Sequence, residues 1–282
     1  MFIDFHTHIF PDALAARAIE RLREASGTPA YCDGTASSLR ASMAHAGVDL
    51  SVVLPVATDP HKCARINDAN AQNAQPGLVF FGAMHPDCPD WKTELDRIAA
   101  LCFAGIKLHP VYQGVDFDDP RTLRILEHAA ALGLTVVTHA GDDIGFPGAV
   151  RCTPEMIANA LRQVGPVRLV AAHMGGWKNW ERVELLAEFP TVYLDTAFSL
   201  GNIATRSDGR FSGKPLALLS ESDFLRLVQS FGADRILFGT DSPWSDQAET
   251  LAHISSLPLP AAEKAAILGG TAAKLLGIET AL

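Results

Sequence analysis

Two histidines one residue apart, His6 and His8, follow the apolar run Met1-Phe2-Ile3-Asp4-Phe5. On an extended strand, side chains alternate faces, so a His-x-His pair offers two imidazoles to one point in space. Imidazole is the commonest protein ligand for a borderline divalent ion such as zinc. The bland alternative is a pair of surface histidines near a frayed terminus. Polar residues recur after later apolar runs: His85 before Pro86, Lys107 and His109 in Gly105-Ile106-Lys107-Leu108-His109-Pro110, His139 in Thr138-His139-Ala140-Gly141, His173 in Ala172-His173-Met174-Gly175-Gly176, Asp195 after Leu194, and Asp241 in Phe238-Gly239-Thr240-Asp241-Ser242-Pro243-Trp244. Taken singly, such a histidine is more often a hydrogen-bonded core or loop residue, and an Asp before Ser-Pro a turn residue. Chemistry requires a fold that gathers these positions.

The elements that would gather them alternate along the whole chain. Apolar, β-branched-rich runs predict strands near Phe2–Phe5, Ser51–Pro55, Val79–Ala83, Gly105–Leu108, Thr135–Thr138, Arg168–Ala172, Val192–Asp195 and Ile236–Gly239. Their near-continuous hydrophobicity suits a parallel sheet covered on both faces. Amphipathic stretches between them predict helices over Pro11–Arg23, Ser37–Ala46, Trp91–Leu101, Pro120–Leu132, Pro154–Val164, Trp180–Glu188, Ser222–Phe231, Asp246–Ser255 and Ala261–Leu276. Strand and helix alternating in this way are the signature of an α/β (β/α)8 TIM barrel, here expected as a single domain over residues 1–282. A doubly wound sheet would carry a Gly-rich phosphate turn after its first strand, where this chain has His6-Thr7-His8.

In such a barrel the C-terminal strand ends share one rim, where active sites of the fold lie. That placement makes His6, His8, His139 and Asp241 candidate ligands of one divalent ion, zinc first, with Mn2+, Fe2+ or Co2+ as alternatives. Three imidazoles and a carboxylate leave a coordination position open, as catalytic sites require. Two long connections, Gly141–Cys152 and Phe198–Glu221, would overlie the same rim. On them Arg151, Arg206 and Arg210 are candidates to clamp a substrate carboxylate, the alternative for each being a solvated loop charge. Trp177, Trp180 and Trp244 follow strand ends and are candidates for pocket walls or for helix packing.

Composition narrows the function classes. The 282-residue chain is 48% hydrophobic, ample for a large core, and lacks a run of the roughly 18 apolar residues that a membrane span needs. A formal net charge of −9 and the absence of a Lys/Arg block disfavour a nucleic-acid partner. The five cysteines include no C-x-x-C pair, which argues against a disulfide framework or thiolate zinc site. A cytoplasmic protein without a secretory signal is expected, acting on a small molecule, with homo-oligomerisation left open.

The ordered set Asp4-Phe5-His6-Thr7-His8, Gly105-Ile106-Lys107-Leu108-His109-Pro110, Thr138-His139-Ala140-Gly141, Ala172-His173-Met174-Gly175-Gly176 and Phe238-Gly239-Thr240-Asp241-Ser242-Pro243-Trp244 resembles the amidohydrolase superfamily over nearly the whole chain. It is most similar to the branch containing aminocarboxymuconate semialdehyde decarboxylase and related small hydrolases. The resemblance implies that His6 and His8 are the strand-one metal pair, His139 the strand-five ligand, and Asp241 a ligand that also accepts a proton from the attacking water. It implies that His173 orients or deprotonates that water, or binds a second metal in binuclear members. Lys107 matches a lysine that is carboxylated and bridges two metals in some members; its other roles are to pair with a substrate carboxylate or to be a buried ion-pair partner. His109, Arg151 and Trp244 are further substrate-binding candidates.

A divalent ion activates water near neutral pH and polarises a carbonyl, so hydrolysis of an amide, ester or lactone is the first expectation. Non-oxidative decarboxylation of an unsaturated or aromatic carboxylate is the second, since the same parts can stabilise the developing charge. A TatD-type nuclease shares the His-x-His, the Gly-x-His-Pro-like turn (Gly82-Ala83-Met84-His85-Pro86) and the Thr-Asp-Ser-Pro end, but has a ligand Glu where this chain has Gly105-Ile106-Lys107-Leu108. A metal-independent lactonase and a non-catalytic metal barrel are the other readings, separated from the first by metal content and activity.

Overall fold

The strands Gly105–Leu108, Thr135–Thr138 and Leu169–Ala171 are buried along their whole length, which is why their sequences read as apolar runs rather than alternating ones. In the computed structural model, residues 1–207 and 213–279 are described. Strands are β1 (Ile3–Thr7), β2 (Leu50–Val53), β3 (Leu78–Phe80), β4 (Gly82–Ala83), β5 (Gly105–Leu108), β6 (Thr135–Thr138), β7 (Leu169–Ala171), β8 (Val192–Asp195) and β9 (Ile236–Leu237). The chain divides into two compact units: Met1–Val52, Ile144–Pro147 and Asp195–Leu282 in one, Val53–Asp143 and Gly148–Leu194 in the other.

In the first unit β1 runs parallel to the segment that continues β9. Phe5 N donates to Phe238 O at 2.7 Å, Asp241 N to His6 O at 2.8 Å and His8 N to Ser242 O at 2.7 Å. Thr196 N donates to Leu237 O at 3.0 Å, so the start of this unit's Asp195-Thr196 segment is tied to β9. Ile3, Phe5, Phe238, Ile254 and Ile267 form fully buried parts of the core. Gly239 is required where β9 meets β1, because a Cβ there would stand 2.9 Å from the His6 Cβ.

In the second unit β4 to β8 pair side by side in parallel. The register sets Leu108 opposite Thr138 and Thr138 opposite Ala171. Pairing continues one step beyond the strands, His139 N donating to Leu108 O at 3.1 Å and Ala172 N to Thr138 O at 3.0 Å. His109 and His139 therefore leave neighbouring strands at the same level.

Most predicted elements form, and the departures have local causes. The strand expected over Val79–Ala83 is two, β3 and β4, because Phe81 N turns to donate to Val53 O at 3.1 Å. The final helix is not continuous over Ala261–Leu276: Ala266–Gly270 forms a π-helical segment, and the Ile267 carbonyl accepts from Phe238 N at 2.9 Å. The segment Trp180–Glu188 is 3-10 rather than α-helical. Gly47 ends its helix in the left-handed conformation, as its place in the sequence predicts.

The helix Cys63–Gln72 is absent from the sequence reading because its buried face is polar. Asn67 carries that face. Its Nδ2 donates to Ala83 O at 3.1 Å and to Glu94 Oε1 at 2.6 Å, while its Oδ1 accepts from Ala83 N at 2.7 Å. The side-chain amide thus bonds β4 as another strand would, and Arg97 closes the network on Glu94 at 2.8 Å and 2.9 Å. Removing one member of such a buried network leaves donors and acceptors unsatisfied. Asn67→Ala is expected to lower unfolding stability by about 2–4 kcal/mol in urea titration, against less than about 0.5 kcal/mol for the exposed Asn73→Ala.

Candidate metal and acid–base site

Among the described residues, a cluster of imidazoles and carboxylates lies at strand ends in each unit. In the first, His6 and His8 project from β1 and its exit, with rings inclined at 73° and Nε2 atoms 3.2 Å apart. Asp241 Oδ1 lies 3.4 Å from His6 Nε2 and 3.1 Å from His8 Nε2. Tetrahedral ligands about 2.0–2.1 Å from a zinc ion stand roughly 3.3–3.4 Å from one another. The three donors match that spacing, and two imidazoles with a carboxylate suit a borderline divalent ion.

Supporting bonds fix these donors. The completely buried Asp195 carboxylate accepts from His6 Nδ1 at 2.8 Å, so the lone pair of His6 is on Nε2, and Asp195 Oδ1 is itself held by Ala197 N at 3.2 Å. Asp241 has φ 63°, a left-handed conformation that Asp tolerates better than most residues, and its backbone N is held by His6 O. Beneath the cluster, Asp4 is fully buried and accepts from Thr240 N at 3.0 Å, Thr240 Oγ1 at 2.5 Å, His6 N at 3.2 Å and Gln247 Nε2 at 2.7 Å. Burial pushes its pKa up to about 6 despite those donors.

The second cluster is built differently. His139 Nε2 donates to Asp142 O at 3.1 Å, because a carbonyl can only accept. The lone pair of His139 is therefore on Nδ1, which lies 3.0 Å from His173 Nε2. The His109 ring stacks on His139 at 4.3 Å and 11°, and on Tyr112 at 3.9 Å and 19°. Asp143 Oδ2 lies 3.6 Å from His109 Nε2 and 3.9 Å from His139 Nε2. This trio does not make a cation cage: His139 Nε2 bears a proton, and near-parallel rings cannot aim in-plane lone pairs at one point. Burial, then the neighbouring His109, His173 and Lys107, hold the His139 pKa well below the usual imidazole value.

His173 has φ 58°, and its carbonyl accepts from Trp180 Nε1 at 2.9 Å. Gly141, φ 87°, permits the close approach of the Trp177 backbone, into which any Cβ would run; Trp177 N donates to Ala140 O at 2.9 Å. Trp177 is thus a buried bracket on the strand ends, and Trp180 holds His173.

The other sequence candidates have definite places. Lys107 is buried within β5. Arg151 Nη1 donates to Asp116 Oδ1 at 2.8 Å at the surface. His85 Nδ1 accepts from Asp87 N at 3.0 Å, closing the turn after β4. Trp244 is half-buried, its N donating to Asp241 O at 2.8 Å. Arg206 has its backbone N on Gly27 O at 2.7 Å. Arg210 lies outside the described residues. Sequence reasoning assigned no role to Asp4, Tyr112, Gln113, Asp142 or Asp143. It noted Asp195 only as a strand-end residue, although one acidic residue closing an apolar strand was a readable sign.

The family model described as amidohydrolase matches residues 3–278. The chain belongs to the amidohydrolase family. No curated protein matches the chain in sequence. Among solved structures it is similar to 5-carboxyvanillate decarboxylase LigW of Sphingomonas paucimobilis, with 18% identity, 99% of each chain covered and a TM-score of 0.69. An uncharacterized TIM-barrel protein of Bordetella bronchiseptica aligns at 21% identity over 98% of each chain with a TM-score of 0.71. A Pseudomonas putida protein, provisionally assigned as a 2-pyrone-4,6-dicarboxylic acid hydrolase, aligns at 18% identity over 99% of this chain and 98% of its own with a TM-score of 0.67. The chain thus has the α/β TIM-barrel fold expected from its sequence. Among the described residues, no helix is long and apolar enough to cross a membrane.

Asp195 acts on the donor set through His6. Asp195→Asn is expected to weaken zinc binding by about 10–100-fold while the protein stays folded, as measured by competition with a chromophoric chelator and by circular dichroism.

Proposed function

We propose that the chain is a metal-dependent hydrolase acting on an amide, ester or lactone carbonyl of a small molecule. The observation that carries this reading is the convergence of His6 Nε2, His8 Nε2 and Asp241 Oδ1 within 3.4 Å of one another. These residues would hold one divalent ion, zinc first. His139 joins them on the strength of its sequence motif, and the Asp142 carbonyl leaves its Nδ1 as the nitrogen to offer. When bound, the ion supplies a Lewis acid that polarises a carbonyl and makes water more acidic.

The chain's own residues supply the proton chemistry. Asp241, at the rim of its cluster, is the carboxylate that takes a proton from attacking water, and His173 passes one to the leaving group. Asp195 keeps His6 in a single tautomer throughout. Lys107 is buried in β5, and a lysine charge there would suit a substrate bearing a carboxylate. That charge also supports a second reading, non-oxidative decarboxylation, the reaction named for the Sphingomonas relative. In that case His173 or Asp241 delivers the proton that replaces carbon dioxide.

Metal analysis of purified protein, with activity on esters, lactones, amides and aromatic carboxylates, tests the reading. Close to one divalent ion per chain is expected, together with metal-dependent carbonyl hydrolysis. His8→Ala is expected to lose more affinity than the roughly 10–100-fold that a ligand's supporting partner is worth. Release of carbon dioxide without hydrolysis would replace the first reading with the second. Two ions per chain would give Lys107 a bridging role, and none after reconstitution would overturn metal dependence.

A further inference from the structure

The stack on His139 is not explained by any role the sequence assigns to His109. His139 has a partner on each nitrogen, Asp142 O at 3.1 Å from Nε2 and His173 Nε2 at 3.0 Å from Nδ1; an Nδ1 offered to an ion gives up the second, and the Asp142 bond alone leaves the ring able to pivot. Imidazole χ2 has a broad, shallow preference, so nothing in the side chain itself stops the pivot. The flat face of His109, 4.3 Å away and tilted by only 11°, does stop it.

His109 is in turn immobilised. Tyr112 covers its other face at 3.9 Å and 19°. Its backbone N donates to Gln113 Oε1 at 3.0 Å, and Gln113 Nε2 donates to Ala57 O at 3.1 Å and Met84 O at 2.6 Å. The one-turn helix Pro110–Gln113 delivers both Tyr112 and Gln113 to this bracket. His109, His139 and Gln113 are buried, and Tyr112 at the outer end of the stack is half-buried.

We infer that His109 is a positioning residue for His139: through the Tyr112–His109–His139 ring stack it sets the plane of the His139 imidazole and hence the direction of its Nδ1 lone pair. The inference rests on the proposed role of His139 as a metal ligand. What the stack requires of residue 109 is a flat ring, not an ionisable nitrogen.

The experiment compares wild type, His109→Ala and His109→Phe as whole chains, reading Zn2+ affinity by chelator competition and the visible absorption of the Co2+-loaded protein. Thermal unfolding of each metal-free form establishes folding; if His109→Ala does not fold, His109→Leu, bulky but without a flat ring, takes its place. Expected is an affinity loss of about 10–100-fold and a changed Co2+ band in the ringless variant, with His109→Phe within about threefold of wild type in affinity and unchanged in spectrum. Wild-type affinity and spectrum in the ringless variant, or a His109→Phe as weak as it, overturns the inference. A wild type that takes up no ion overturns instead the metal-dependent reading on which it stands, so the two failures are told apart.

Discussion

A carboxylate placed where water cannot reach it is the constraint on which the first cluster depends. Asp4 receives bonds from the backbone of its own strand, from both polar groups of Thr240 and from the Gln247 side chain. Those donors come from the two ends of the chain, so one side chain joins the strand that carries His6 to the loop that carries Asp241. Desolvation outweighs the donors and raises the Asp4 pKa, a sign that the site accepts an electrostatic cost in exchange for geometry. The loop after β9 could otherwise lie in many ways. With Thr240 tied twice to Asp4, Asp241 has little freedom, and its backbone N is already committed to His6.

The two clusters use imidazole for opposite ends. Rings inclined at 73° with nitrogens converging, as in His6 and His8, are arranged around a point. Rings stacked within 11°, as in His109 and His139, are arranged along an axis and hold one another flat. The first order suits shared coordination, and the second suits orientation. The difference follows from position: His6 and His8 are two residues apart on one strand, whereas His109 and His139 stand abreast on paired parallel strands.

Legibility in the sequence followed the same physics. Parallel strands buried on both faces announce themselves as apolar runs, and the polar residue that ends each run marks the strand's mouth, which is how His6, His8, His139, His173 and Asp241 could be found. The helix around Asn67 could not, because hydrophobic periodicity is silent when an amide rather than an alkyl group faces the core. Asp143 and Gln113 were equally hidden. Each acts by a bond or contact formed only after two strands have paired, and no local pattern encodes that partner. The break at Phe81 and the π-helical turn near Ile267 are of the same kind, set by a hydrogen bond to a distant strand.

The left-handed backbone at Asp241 and His173 narrows what evolution or an experimenter can place there. At φ near 60° every Cβ crowds the carbonyl and only Gly is unstrained; Asp, Asn and His are the commoner exceptions, whereas Ala and above all β-branched residues are disfavoured. An alanine scan would thus confound lost chemistry with a shifted loop at these two positions. Asn at 241 keeps shape and backbone while removing the charge, and it is the cleaner replacement. A replacement that keeps this backbone comes from the same short list of residues, so the chemistry at these positions can be altered without strain only in a few discrete steps.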